Sequence, residues 1–181
     1  MTRTTAREIA VQLGFALCAN GDGTQAAMDA FFDTEYYRTL AEEDALFAQY
    51  PNEKQLQYIR SLAAGVAEKR EELDDYISRY SKKWKLNRIS RTALAVMRVA
   101  MYEVLYLSDV PASVAVNEAV ELAKKYEPQE TVAFINGILG AFVREQAADS
   151  AQAEEAPVQE AASEEAEEAD APAEPEQTSL F

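Results

Sequence analysis

The chain has 181 residues, with 17 Lys+Arg against 32 Asp+Glu, a formal charge of −15, no His and one Cys. Without His there are no His-based triads, imidazole bases or His-containing zinc sites, and a single Cys excludes an intramolecular disulfide or a multi-Cys zinc site. The acidity is uneven: the last basic residue is Arg144, and residues 147–181 hold eleven acids and no Lys or Arg, so residues 1–146 carry only −4.

In residues 1–146 the only prolines are Pro51, Pro111 and Pro128, and Gly is sparse, so long helices are expected. Ile9, Leu13, Ala16 and Leu17 recur at helical spacing after Thr4 or Thr5, either of which can cap, and predict a first helix over 4–19 that ends at Asn20-Gly21-Asp22-Gly23. From Thr24 to Gln49 the pattern of Met28, Phe31, Phe32, Tyr36, Leu40 and Phe47 predicts one or two helices, with a break near Thr34 or Glu42. Tyr50-Pro51-Asn52 is a boundary, with Asn52 as the next cap. Two helices follow, on Leu56 to Val66 and on Leu73 to Tyr80, meeting in a turn near Glu68. Residues 81–87 are basic and hold the single Trp, Trp84, ahead of the strongly apolar stripe Ile89, Leu94, Met97, Met101 and Leu105, which predicts the central helix. Pro111 ends it, Ser113 can cap the next helix to Tyr126, and Glu127-Pro128 precedes a last helix on Val132 to Phe142.

No alternation is long enough to predict a strand. The expected fold is therefore all-α, with about seven helices in a domain over 1–146. Residues 147–181, rich in Ala, Glu, Gln, Ser and Pro, form an acidic tail predicted to be disordered, since so few apolar groups cannot offset the ordering entropy. The N-terminal segment is broken by charge too often for a signal peptide and nowhere do about 18 apolar residues run together, so a cytoplasmic protein with no membrane association is expected.

Catalysis is not expected. The carboxylates of residues 1–146 are interspersed with Lys and Arg as on a solvated face, Cys18 sits on an apolar helix face without a His and reads as a core residue, and no Gly-rich phosphate loop or cofactor motif is present. Two basic groups remain: Arg3 and Arg7, four apart on the first helix, and Lys82, Lys83, Lys85, Arg88 and Arg91 around Trp84. Spacing alone leaves both as either solvated patches or phosphate-binding groups.

Several blocks in register resemble the NusB family of bacterial transcription antitermination factors. They are Ala6-Arg7-Glu8-Ile9-Ala10-Val11-Gln12, Ala64-Gly65-Val66, Trp84-Lys85-Leu86-Asn87-Arg88-Ile89, Met97-Arg98-Val99-Ala100-Met101-Tyr102-Glu103, Val110-Pro111, Val116-Asn117-Glu118-Ala119-Val120-Glu121-Leu122-Ala123-Lys124-Lys125-Tyr126 and Phe134-Ile135-Asn136-Gly137-Ile138-Leu139. The resemblance implies two packed helical subdomains. It also implies a non-enzymatic role as an antitermination factor that pairs with the ribosomal protein NusE, binds boxA RNA of nascent rRNA transcripts and joins the RNA polymerase antitermination complex. A NusE-binding adaptor that has lost RNA recognition is the alternative, and monomer and homodimer both stay open.

By the same resemblance, Arg3 and Arg7 match the arginine-rich RNA-binding motif, Gln12 and Phe15 continue that face, Phe134 matches the aromatic of an RNA-contacting motif, with a core aromatic as the equal alternative, and Glu130 takes a loop position before it. Asn117, Glu118 and Asn136 are expected to hold helix junctions, and Arg88, Arg98 and Glu103 to form a charge network. The chain departs from the family pattern in its first residues, where Thr2, Thr4 and Thr5 leave Arg3 and Arg7 nearly alone. It departs again at Ala93, a usually acidic position expected to touch NusE.

Overall fold

The first helix begins one step before the threonines that the pattern offers as caps. In the computed structural model, which describes residues 1–20, 24–82 and 84–155, helix α1 spans Arg3–Asn20. Its cap is Thr2, whose Oγ1 accepts from the Thr5 amide at 3.0 Å; Thr4 and Thr5 lie inside the helix, where a capping residue cannot sit.

The stretch from Thr24 splits in two, α2 (Thr24–Phe31) and α3 (Thr34–Glu43). Asp33 makes the break, its Oδ1 accepting from the Glu35 and Tyr36 amides, each at 3.0 Å. After a 3-10 turn at Ala45–Phe47, α4 (Glu53–Glu68) opens with a capping box in which Asn52 and Gln55 each bind the other's amide, at 3.0 and 2.9 Å. Only Lys69 separates α4 from α5 (Arg70–Tyr80), the turn predicted near Glu68. A basic connection with a 3-10 turn at Leu86–Arg88 leads to α6 (Arg91–Tyr106), capped by Ser90. Then come α7 (Ala112–Tyr126) and α8 (Gln129–Glu155). Ser113 does not cap α7; Pro111 stands before the helix and Ser113 lies in its first turn. The described residues thus form eight α-helices and no strand. The helix beyond the predicted seven comes from the break at Asp33.

Residues 1–145 form one unit around one apolar core. At its centre is α6, where every residue from Ala93 to Met101 except Arg98 is buried. The N-terminal group packs chiefly through α1 against α4, and both of these rest on α6; α5 and α7 cover α6 from their own sides. Helix α6 is thus contacted by four helices, α1, α4, α5 and α7. Close approach of α4 to α6 requires Gly65, because a Cβ there would lie 2.1 Å from the Tyr102 ring. Phe142 of α8 meets Tyr76 of α5 edge to face at 5.2 Å.

Helix α8 runs to Glu155, past the boundary predicted at Gln146. Ala147, Ala148, Ala151 and Ala153 favour helix, and no Pro intervenes before Pro157. Gln146–Phe181 is a separate unit. The expectation of disorder falls mainly on residues 156–181, which lie outside the described residues, as do Gly21-Asp22-Gly23 and the side chain of Cys18. Among the described residues no helix is long and apolar enough to cross a membrane, and no group of acids and Cys is placed to hold a metal ion.

Candidate nucleic-acid interface

Arg7 has a different environment from the one its spacing to Arg3 predicts. The residue is 3 % exposed. Its Nε and Nη2 donate to the two carboxylate oxygens of Glu103, at 2.7 and 3.0 Å, and its Nη1 donates to Glu118 at 2.8 Å. Glu103 is fully buried and also accepts from the Tyr58 hydroxyl at 2.6 Å, while Thr4 donates to Glu118 at 2.7 Å. Burial alone would lower the Arg7 pKa, but the hydrogen bonds and charge of Glu103, with Tyr58 and Glu118, outweigh it and raise it. Burial, reinforced by the Glu103 charge, likewise pushes the Tyr58 phenol well up. The network thus keeps a charged guanidinium, a buried carboxylate and a neutral phenol locked together. In this position Arg7 offers nothing to a phosphate; it fastens α1 to α6 and α7.

The other candidates fall into two groups. On α1, Arg3 is half-exposed, with Nη2 3.0 Å from Asp109 and its guanidinium 4.8 Å from the centre of the Tyr58 ring. Gln12 reaches the Tyr126 hydroxyl in a long 3.4 Å hydrogen bond, and Phe15 is exposed. This face is stitched to the end of α7 by Glu8, which accepts from Lys125 at 2.7 Å and from Tyr126 at 2.5 Å. Burial and the Glu8 bond raise the Tyr126 phenol.

Glu130 and Phe134, by contrast, come together near the start of α8. They line a cleft of about 230 Å³ with Trp84, Arg88, Ser90 and Thr131. The Trp84 and Phe134 ring centres are 6.3 Å apart at a tilt of 55°, and Trp84 is 53 % exposed. Ser90 Oγ donates to Glu127, tying the start of α6 to the α7–α8 connection beside the cleft. A volume below the roughly 300 Å³ of small-molecule sites suits one planar group rather than a whole cofactor. Trp84 and Arg88 thus belong with Phe134 and Glu130. The sequence signal for this was the Trp inside a basic run, but nothing local says which helix that run faces.

The expected network of Arg88, Arg98 and Glu103 does not form. Glu103 takes Arg7, and Arg98 binds Asp74 through two hydrogen bonds of 2.7 and 2.9 Å. Arg88 is exposed beside the cleft. Of the polar residues expected at helix junctions, Glu118 takes that role, whereas Asn117 and Asn136 are exposed along a groove between α7 and α8. Ala93 is fully buried under the Ser90 cap, so this position presents no surface to a partner.

The model of the NusB family matches residues 4–144. A transcription antitermination protein NusB from Acetivibrio thermocellus is 40 % identical over 144 residues, spanning 80 % of this chain and 90 % of that protein. One from Clostridium botulinum is 33 % identical over 143 residues, or 79 % of this chain and all of the relative. Among solved structures, T. maritima NusB aligns with a TM-score of 0.59 at 28 % identity, covering 80 % of this chain and 92 % of that one.

Proposed function

The chain belongs to the NusB family, and from that premise we propose that it is a transcription antitermination factor that pairs with NusE and binds boxA RNA of nascent rRNA transcripts. In this role it is a cytoplasmic, non-enzymatic member of the RNA polymerase antitermination complex. The observation that carries the RNA reading is the cleft, where an aromatic ring (Phe134), an exposed indole (Trp84), a guanidinium (Arg88) and a carboxylate (Glu130) converge. Single-stranded RNA is held by aromatic stacking and cations, with polar side chains reading base edges. Phe134 and Glu130 serve at the cleft; Arg3, Gln12 and Phe15 extend the surface along α1. Arg7 positions that surface.

The burial of Arg7 favours one alternative, an adaptor that binds NusE without specific RNA recognition, because it removes a cation from an N-terminal motif already short of them. Titrating the intact chain with a boxA oligonucleotide at low salt, with and without NusE, separates the two. RNA binding that tightens when NusE is added is the expected result. NusE binding with no RNA affinity in either arm would leave only the adaptor.

Residues 147–181, with their eleven acids, lie beyond the family match. Their charge opposes a polyanion, so a chain ending at Gln146 is expected to bind boxA RNA more tightly at low salt. The two forms should converge as salt shortens the Debye length to about 8 Å at 0.15 M. Equal low-salt affinities would show that the acidic segment has no part in RNA binding.

A further inference from the structure

Among the described residues nine of the sixteen Lys and Arg are ion-paired, and outside the α5–α6 connection only Arg38, Lys54 and Arg144, far apart in the sequence, are not. Every Lys and Arg of α1, α5 and α7 stands within 3.8 Å of a carboxylate. The connection from α5 to α6 differs: Lys82, Lys85, Arg88 and the first residue of α6, Arg91, are all exposed and none is ion-paired among the described residues. Between them stands Trp84, the only Trp of the chain. Its side chain walls two open cavities. One is the 230 Å³ cleft shared with Phe134, Glu130 and Arg88. The other, of about 680 Å³, is lined by Lys82, Lys85 and Asn87. Two local bonds fix the Trp84 backbone: the Trp84 amide donates to Ser81 O at 2.8 Å, and Ser81 Oγ donates to Trp84 O at 3.1 Å.

We propose that Lys82, Trp84, Lys85, Arg88 and Arg91 form a single-stranded RNA-binding element, in which Trp84 stacks an unpaired base and the four cations hold the phosphates on either side. This rests on the RNA reading above and names the segment that supplies most of its affinity. Unpaired like charges repel one another and gain from any anion that comes between them, and a polyphosphate chain neutralises several at once while releasing its counterions. An acidic peptide could satisfy the same cations. It has no planar rings at the spacing of its charges, whereas a nucleic acid brings a base for each phosphate, and an indole offers every base a stacking surface regardless of sequence. The element also accounts for the binding charge missing at the N-terminus, where Arg7 is buried and Arg3 is paired with Asp109.

Because Trp84 is the only Trp, its emission reports on this element alone. In a titration of the intact chain with a boxA oligonucleotide, the emission is expected to be quenched along the binding curve. Trp84→Leu should weaken binding by about 5- to 150-fold, and Trp84→Phe, which keeps a ring, should recover most of it. Lys85→Gln and Arg88→Gln should each reduce the slope of log affinity against log salt by about 0.7, a readout that a purely structural role would not move. Thermal melts that match wild type confirm that the variants are folded. RNA binding by the wild type with unchanged emission, and equal affinity for Trp84→Leu, would overturn the element while leaving the RNA function standing. Absence of RNA binding by the wild type would overturn both. Quenching by an oligoglutamate peptide but not by RNA would make the element a protein-docking site and overturn the proposal.

Discussion

Arg7→Ala is expected to destabilise the folded body by about 3–5 kcal/mol, because it strands a buried carboxylate. Glu103 is fully buried and receives two hydrogen bonds from Arg7, leaving only the Tyr58 hydroxyl when the guanidinium is gone. Glu118 loses its Arg7 contact as well, though it is less buried and retains Thr4. Arg7→Lys keeps a charge but not the planar fork, so it should fall between Ala and wild type. Arg7→Met combined with Glu103→Leu should recover part of the loss, since removing both charges avoids the unpaired one while Tyr58 still lacks an acceptor. Urea unfolding reads this as a lower midpoint at unchanged m-value. A loss below about 1 kcal/mol for Arg7→Ala, typical of an exposed ion pair, would mean that Arg7 is free at the surface. A second readout separates fastening from RNA contact. Where the Arg7→Met/Glu103→Leu variant remains folded, its salt slope for RNA binding should equal that of wild type, whereas a lost phosphate contact would lower it by about 0.7.

Phe134→Ala is expected to weaken boxA RNA binding by about 1–3 kcal/mol, or 5- to 150-fold, the usual worth of one stacked base. Phe134 is half-buried against the core and borders the cleft with Trp84, so some loss of thermal stability should accompany the loss of affinity. Phe134→Tyr keeps the ring and should bind nearly as wild type. NusE binding should be unaffected in both variants. Loss of RNA and NusE binding in parallel would instead mark Phe134 as a packing residue whose removal disturbs the whole surface.

Several helix boundaries were readable from a local chemical signal. Asn52 acts within a few residues of its own position and caps α4 as expected, and Pro111 marks the boundary between α6 and α7, whereas the Ser90 cap of α6 and the Gln55 half of the Asn52 box were not among the expected signals. The α1 cap was misread because three threonines compete at the start of the chain and only the first lies outside the helix. The fate of Arg7 was hidden for a different reason. Its partners Glu103 and Glu118 lie 96 and 111 residues away, so no window of sequence brings them together. A hint was present in α6, where Glu103 is the one acid in a helix of mostly apolar residues; such a group demands a buried cation, and the choice among Arg7, Arg88 and Arg98 is a matter of tertiary packing. The cleft shows the same limit. Trp84 in a basic run and Phe134 near a helix start were each visible, but their meeting depends on how the α5–α6 connection lies against α8. Family membership was readable because the blocks that carry it run in order along the chain.

The decisive comparison is between wild type and Phe134→Ala, each intact and saturated with NusE, titrated at low salt with a single-stranded boxA oligonucleotide. Measurable RNA affinity for the wild type, reduced at least about fivefold in the variant while NusE binding is unchanged, is the expected result. Equal affinities for the two proteins, or no RNA binding by either, would contradict it.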